Sequence, residues 1–386
     1  MTRKLYEEDA YCRQFEALVS SCCKVEKGYE VILEETAFFP EGGGQPADQG
    51  WLEDSRVTDV QEEEGIIRHI CDKPLNPGSR VHGKIDWERR FLHMQQHSGE
   101  HIFSGTVHGL YGYDNIGFHM GKDFVTVDFS GLLSEEQIAE AQRRTNEVIF
   151  QNVEICAEYP SDEALRKLEY RSKKEIDGAV RIVTIPGADV CACCGTHVKR
   201  TGEIGPVQVI GSEHYKSGIR LTLKIGWKAL EDYEEKHRSV KEISMLLSAS
   251  PEKIVEAVLH QQEQLKEYKE ANISLKQKRM DDLVAAVPEG TRKAILFEEG
   301  LNPVEIRILA DRLVQKVQFA AVFSGKEGEG YKYVMCGKDM DIVSLGKAFN
   351  LALNGRGGGK NPMVQGSVEG SEEAVREFLE NWEKAY

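Results

Sequence analysis

The chain has 386 residues, 40% hydrophobic and 29% charged, so it exceeds one ordinary core and is expected to fold as two or three soluble domains. Its formal net charge of −15 excludes a protein that coats nucleic acid with its whole surface, because phosphate contacts need lysine and arginine; any such contact must be local. No apolar run is long enough to span a membrane, and nine cysteines with adjacent pairs at Cys22–Cys23 and Cys193–Cys194 fit a reducing, cytoplasmic setting and a metal better than a disulfide framework.

Residues 1–90 mix β-branched and aromatic residues with turn formers, as in 30–33 and 80–85, and read as short strands of a small β-barrel-like subdomain. Inside it, three consecutive glycines, Gly42, Gly43 and Gly44, followed by Gln45, Pro46 and Asp48, make a loop whose backbone can pass close to a ligand. Residues 91–226 read as an α+β domain with helices over a largely antiparallel sheet. Its elements are a helix from Phe91, a strand over 125–129, and a helix from the capping box Ser134–Gln137 to about Gln151. A helix over 161–169 and strands over 180–185, 207–210 and 219–225 follow.

From 227 to 286 the chain is charged and glycine-free, with Ser250-Pro251 as a helix start. Ile254, Val258, Leu265, Tyr268 and Leu275 follow a three-four spacing, which fits a helical hairpin or coiled-coil linker and a homodimer through it or through the C-terminal domain. Residues 287–386 alternate strand and helix as a small α/β domain, ending in a helix over 372–384. Its glycine loop, Arg356-Gly357-Gly358-Gly359-Lys360, lies in a stretch from Ile342 to Val368 without an acidic residue.

Chemistry gathers in two places. His97 and His101 are four apart in the helical stretch, so both imidazoles share a face. Cys193 and His197 repeat that spacing far downstream. Three nitrogens and one sulfur suit one tetrahedral Zn2+ per chain, with Cys191 and Cys194 as rival thiols. Glu100 is the nearest carboxylate and a candidate general base, although its helical angle turns it from both histidines.

The segments 39–46, 95–101 and 193–202 resemble the glycine loop and the two zinc half-sites of the alanyl-tRNA editing proteins and of the editing half of alanyl-tRNA synthetase. The segment 357–366 is similar to the DHHA1-type domain that ends those synthetases. Cys194 stands where the family's motif usually has glycine, and no aminoacylation domain has room. The resemblance implies a trans-editing hydrolase that removes serine, with glycine as a second candidate, from mischarged alanine tRNA. It also implies that the C-terminal domain grips the tRNA, with Arg356, Gly357, Gly358, Gly359 and Lys360 at the contact. An alanine-accepting pocket rejects an added hydroxyl only about a hundredfold, so a second site must read that hydroxyl; Thr36, Gly43, Gly44 and Gln45 are the candidates. Two rivals stay open: a non-catalytic tRNA-binding protein with a structural zinc, and a zinc hydrolase of small esters or amides.

Overall fold

Along Gln14–Val25, Phe15, Ala17 and Val19 are buried while Gln14 and Glu16 are exposed, the period of a strand with one face in a core. Six such strands, β1 (Gln14–Val25), β2 (Gly28–Leu33), β3 (Gly50–Leu52), β4 (Ser55–Glu63), β5 (Ile66–Cys71) and β6 (Arg80–Ile85), close into a barrel in the order β1-β2-β5-β4-β3-β6. Phe15, Val31, Leu52, Val57, Val60, Ile67 and Val81 fill it. This computed structural model describes residues 1–172 and 179–382, in two units, Met1–Leu246 and Leu247–Tyr386.

Between β2 and β3 runs the glycine loop, clamped to the following helix by a fully buried ion pair. Arg90 Nε donates to both Asp48 oxygens at 3.1 and 2.9 Å, and its terminal nitrogens reach the carbonyls of Ala10 at 2.8 Å and Ala37 at 2.6 Å. Asp48 also accepts from the Phe39 N–H at 2.7 Å. With every charge hydrogen-bonded, the pair is tolerable in a dry setting.

Helix α1 (Trp87–Tyr111) begins before the expected Phe91, because the Asp86 side chain caps it through the Arg89 N–H at 3.1 Å. It is enclosed on both sides, which is why polar residues from His93 to Ser104 are buried beside apolar ones. Met94, Ile102, Phe103 and Val107 join a core with Val125, Val127, Leu221 and Leu223 from an antiparallel sheet. That sheet runs Val207–Tyr215, Gly218–Ile225, Val125–Phe129, Asn115–Met120. Helix α2 (Glu135–Phe150) carries the anticipated Ser134–Gln137 capping box. The helix expected over 161–169 is the shorter Asp162–Lys167, and the strand over 180–185 contracts to Ile182–Ile185, pairing with an unanticipated strand at Asp189–Ala192.

In the second unit, the helix Ile254–Ala285 follows a single turn at Pro251–Lys253 and packs Met280, Leu283 and Val284 with Leu309 and Leu313 of the helix Pro303–Lys316. Val258, Leu265, Tyr268 and Leu275 along it are exposed. The sheet runs Lys293–Phe297, Phe319–Lys326, Gly330–Gly337, Met363–Val368, Arg356–Lys360; its first pair is parallel and the others antiparallel. The expected glycine loop is therefore an edge strand. A Cβ on Gly357 would lie 2.3 Å from the Gln365 carbonyl oxygen, so glycine here admits a neighbouring strand. The last helix is described as Glu372–Trp382; its expected end at Lys384 lies outside the described residues. No helix among the described residues is long and apolar enough to cross a membrane.

Candidate metal centre

Helix α1 turns His97 and His101 to one side, and the loop after Asp189–Ala192 brings Cys193 and His197 to meet them. The ligand atoms of these four residues all lie within 4.8 Å of one another. His97 Nε2 is 3.4 Å and His197 Nε2 3.5 Å from Cys193 Sγ. Neither Cys191 nor Cys194 joins the four: Cys191 groups instead with His101 and Asp189, and Cys194 is exposed.

Each imidazole is held from behind at Nδ1. His97 faces Gln45 Oε1 at 3.0 Å, His101 faces Asp189 Oδ2 at 2.9 Å, and His197 faces Ser98 Oγ at 3.1 Å. Asp189 is anchored in turn by Arg171, with Nε to Oδ1 at 2.7 Å and a terminal nitrogen to Oδ2 at 2.9 Å. Such outer partners fix ring orientation and leave Nε2 to bind a metal. The cysteine loop is pinned by Arg181, which donates to the carbonyls of Cys193 at 3.0 Å and Gly195 at 2.9 Å.

The electrostatics favour a thiolate at Cys193, while His101 holds a proton that a bound cation would displace. Burial opposes charge on Cys193, yet attraction from His97 and His101 and hydrogen bonds from His101 and His197 outweigh it, and the thiol sits well below its usual value. Burial and the neighbouring His97 push His197 down to about 3, so its ring is neutral. For His101, burial is overcome by the Cys193 thiolate and Asp189, which raise it well above 6.5. A thiolate and imidazoles with oriented Nε2 atoms fit a divalent metal that takes nitrogen and sulfur.

The cluster opens into a cavity of about 450 Å³ lined by Gly43, Gly44, Phe118 and Ala192 together with His97, His101, Cys191, Cys193, Cys194 and Ser172. A second cavity of about 480 Å³ lies against Arg171 and Asp189, and its described lining includes none of the four donors. Gly44 has φ +86°, and a Cβ there would lie 2.5 Å from the Phe118 ring. The bare backbone is therefore required where the loop meets the wall.

The other expected residues fall elsewhere. Gln45 is fully buried behind His97, outside the cavity lining. Thr36 is fully buried as well; its hydroxyl lies 2.9 Å from His69 Nε2 and accepts from the Phe38 N–H at 3.1 Å. Because that hydroxyl is spent inside the barrel, Thr36 does not line the cavity as the sequence suggested. Glu100 accepts from Ser104 Oγ at 2.5 Å and from the Asn115 amide, and is likewise absent from the lining. Arg356 to Lys360 are exposed along their edge strand. Asp189, Ser98 and Arg171 escaped the sequence reading, since no spacing marks them. A hint was Gly105: a Cβ there would lie 2.2 Å from the Ala188 carbonyl oxygen, so the turn that delivers Asp189 rests on bare helix backbone.

Three family models match the chain: tRNA synthetases class II (A) over 9–89, the threonyl and alanyl tRNA synthetase second additional domain over 180–222, and the DHHA1 domain over 283–386. Alanine--tRNA ligase of Thermococcus kodakarensis is 32% identical over 97% of this chain, which spans 43% of that protein. Alanyl-tRNA editing protein Aarsd1-B of Xenopus laevis is 28% identical over 88% of this chain and 85% of its own length. Alanyl-tRNA editing protein Aarsd1 of Rattus norvegicus is 30% identical over 94% of this chain and 93% of its own length, and the chain belongs to the family of alanyl-tRNA editing proteins.

Proposed function

We propose that the chain is a trans-editing deacylase that hydrolyses the ester linking serine, and secondarily glycine, to alanine tRNA. The observation that carries this reading is the convergence of His97, His101, Cys193 and His197 beside a cavity walled by Gly43 and Gly44. These four residues would hold zinc, which when bound supplies Lewis acidity toward an ester carbonyl. With all four as ligands the shell would be full, so the chemistry would fall to the surrounding residues unless one ligand gave way.

The chain's own part is positional. Asp189, Gln45 and Ser98 orient the rings, the loop at Gly43–Gly44 presents backbone to the aminoacyl group, and Phe118 closes the side. Thr36 enters only by fixing the start of the loop through the Phe38 N–H. The exposed strand Arg356–Lys360 is assigned to the tRNA backbone, with Arg356 and Lys360 as phosphate contacts. Separate deacylation assays on seryl- and alanyl-tRNA should show serine removed faster by about a hundredfold or more. Equal rates would end the serine-reading proposal.

A further inference from the structure

We propose that Gln45 is a positioning residue that couples the glycine loop to the metal centre, so that metal occupancy and the order of the cavity wall rise and fall together. This rests on the reading that His97, His101, Cys193 and His197 hold a metal. Gln45 is fully buried and touches both chain segments that supply the four candidate ligands. Its Oε1 accepts from the Thr196 N–H at 3.1 Å and lies 3.0 Å from His97 Nδ1, and its Nε2 donates to Thr196 Oγ1 at 2.8 Å.

The backbone N–H of Thr196 can only donate, so the amide atom facing it is the oxygen, and the amide's orientation is set by the protein. That oxygen can only accept. His97 must therefore carry its proton on Nδ1 and leave Nε2, on the Cys193 side, as the ligating atom.

The same loop also packs against a ring, on the strand Asn115–Met120, that touches His97. The Phe118 ring packs where a Gly44 side chain would otherwise be, and it stacks on the His97 ring with centroids 5.5 Å apart and planes 19° from parallel. His97 is thus held at its edge by Gln45 and on its face by Phe118 beneath Gly44. The outer partners of the other two rings come from elsewhere: Asp189 from the strand Asp189–Ala192 and Ser98 from helix α1. Of the three partners, Gln45 alone lies on the loop that walls the cavity. A metal that immobilises His97 should stiffen the loop, and by reciprocity a loosened loop should weaken the metal.

The loop carries its own reporters, since the Gly42 N–H donates to the Gln45 carbonyl at 3.1 Å and the Gln45 N–H to the Gly42 carbonyl at 3.0 Å. The test measures hydrogen exchange of the full-length wild type with zinc bound and after chelation, and zinc affinity by chelator competition in wild type, Gln45→Leu and Gln45→Glu. Zinc removal is expected to speed exchange at Gly42 and Gln45 at least about tenfold, with the β2 and β4 amides unmoved. Gln45→Leu is expected to weaken zinc about 10- to 100-fold, and Gln45→Glu, which keeps the acceptor for His97, to recover most of that loss. Loop exchange indifferent to zinc in the zinc-loaded wild type would overturn this inference alone, whether or not Gln45→Leu folds. Wild-type zinc affinity in a folded Gln45→Leu protein would overturn it too. A wild type that binds no zinc would overturn the metal reading and this inference with it. None of these readouts uses deacylation, so a failed substrate assignment is distinguishable.

Discussion

His69 lies at the barrel's centre with no exposed surface, between the Val31 carbonyl, 3.0 Å from Nδ1, and the Thr36 hydroxyl. Burial pushes it down to about 4, the bond to Val31 only partly opposing this. In the unfolded chain the same ring takes up a proton near pH 6.5. Between those two values the unfolded state binds more protons, so stability falls as pH drops from about 6.5 to about 4, by up to about 1.4 kcal/mol per unit. His69→Gln should flatten that dependence in urea denaturation at stepped pH, while His93, pushed down to about 3 by burial and by Arg89, retains a slope of the same sign. An unchanged pH profile would mean that the folded barrel accepts the charge.

Among the elements, the glycine loop and α1 matter most. Gly43 and Gly44 both have positive φ, but a Cβ on Gly43 would meet nothing within 4 Å whereas one on Gly44 meets Phe118. Gly43→Ala should therefore cost only its backbone strain, about 1 kcal/mol. Gly44→Ala should also displace Phe118 and lower seryl-tRNA hydrolysis at least about tenfold. Equal losses in a paired deacylation assay would deny Phe118 its part in the wall. His97 and His101 could be read as a pair because a four-residue step keeps one helix face, whereas Cys193 and His197 lie in a loop, where only their residue types marked them as candidate ligands. Asp189 was not legible, since its contact with His101 depends on a turn that only Gly105 lets approach the helix. Arg356–Lys360 was misread as a loop because glycine has low strand propensity; its pairing comes from the partner strand Met363–Val368, a tertiary effect. Thr36 was misplaced for a similar reason: a polar residue at a strand end gives no sign whether it points to a ligand or to a buried histidine.

At the scale of the whole molecule, a net charge of −15 makes tRNA binding depend on few cations. Arg356→Ala and Lys360→Ala should each weaken tRNA binding and lower the slope of log affinity against log salt by about 1, measured by filter binding across a salt series. Unchanged slopes would move the tRNA contact away from this strand. The two matched ends of the chain, a synthetase-like barrel and a DHHA1 domain, flank the four candidate metal ligands in sequence. The proposed division is between hydrolysis in the first unit and tRNA capture in the second.

The most direct test pairs bound-zinc content with seryl-tRNA deacylation in the same preparations of wild type and Cys193→Ala. One zinc per chain and hydrolysis are expected in the wild type, with zinc lost and hydrolysis lowered more than about a hundredfold in a variant that remains folded. A folded Cys193→Ala protein that deacylates seryl-tRNA at the wild-type rate would contradict this expectation.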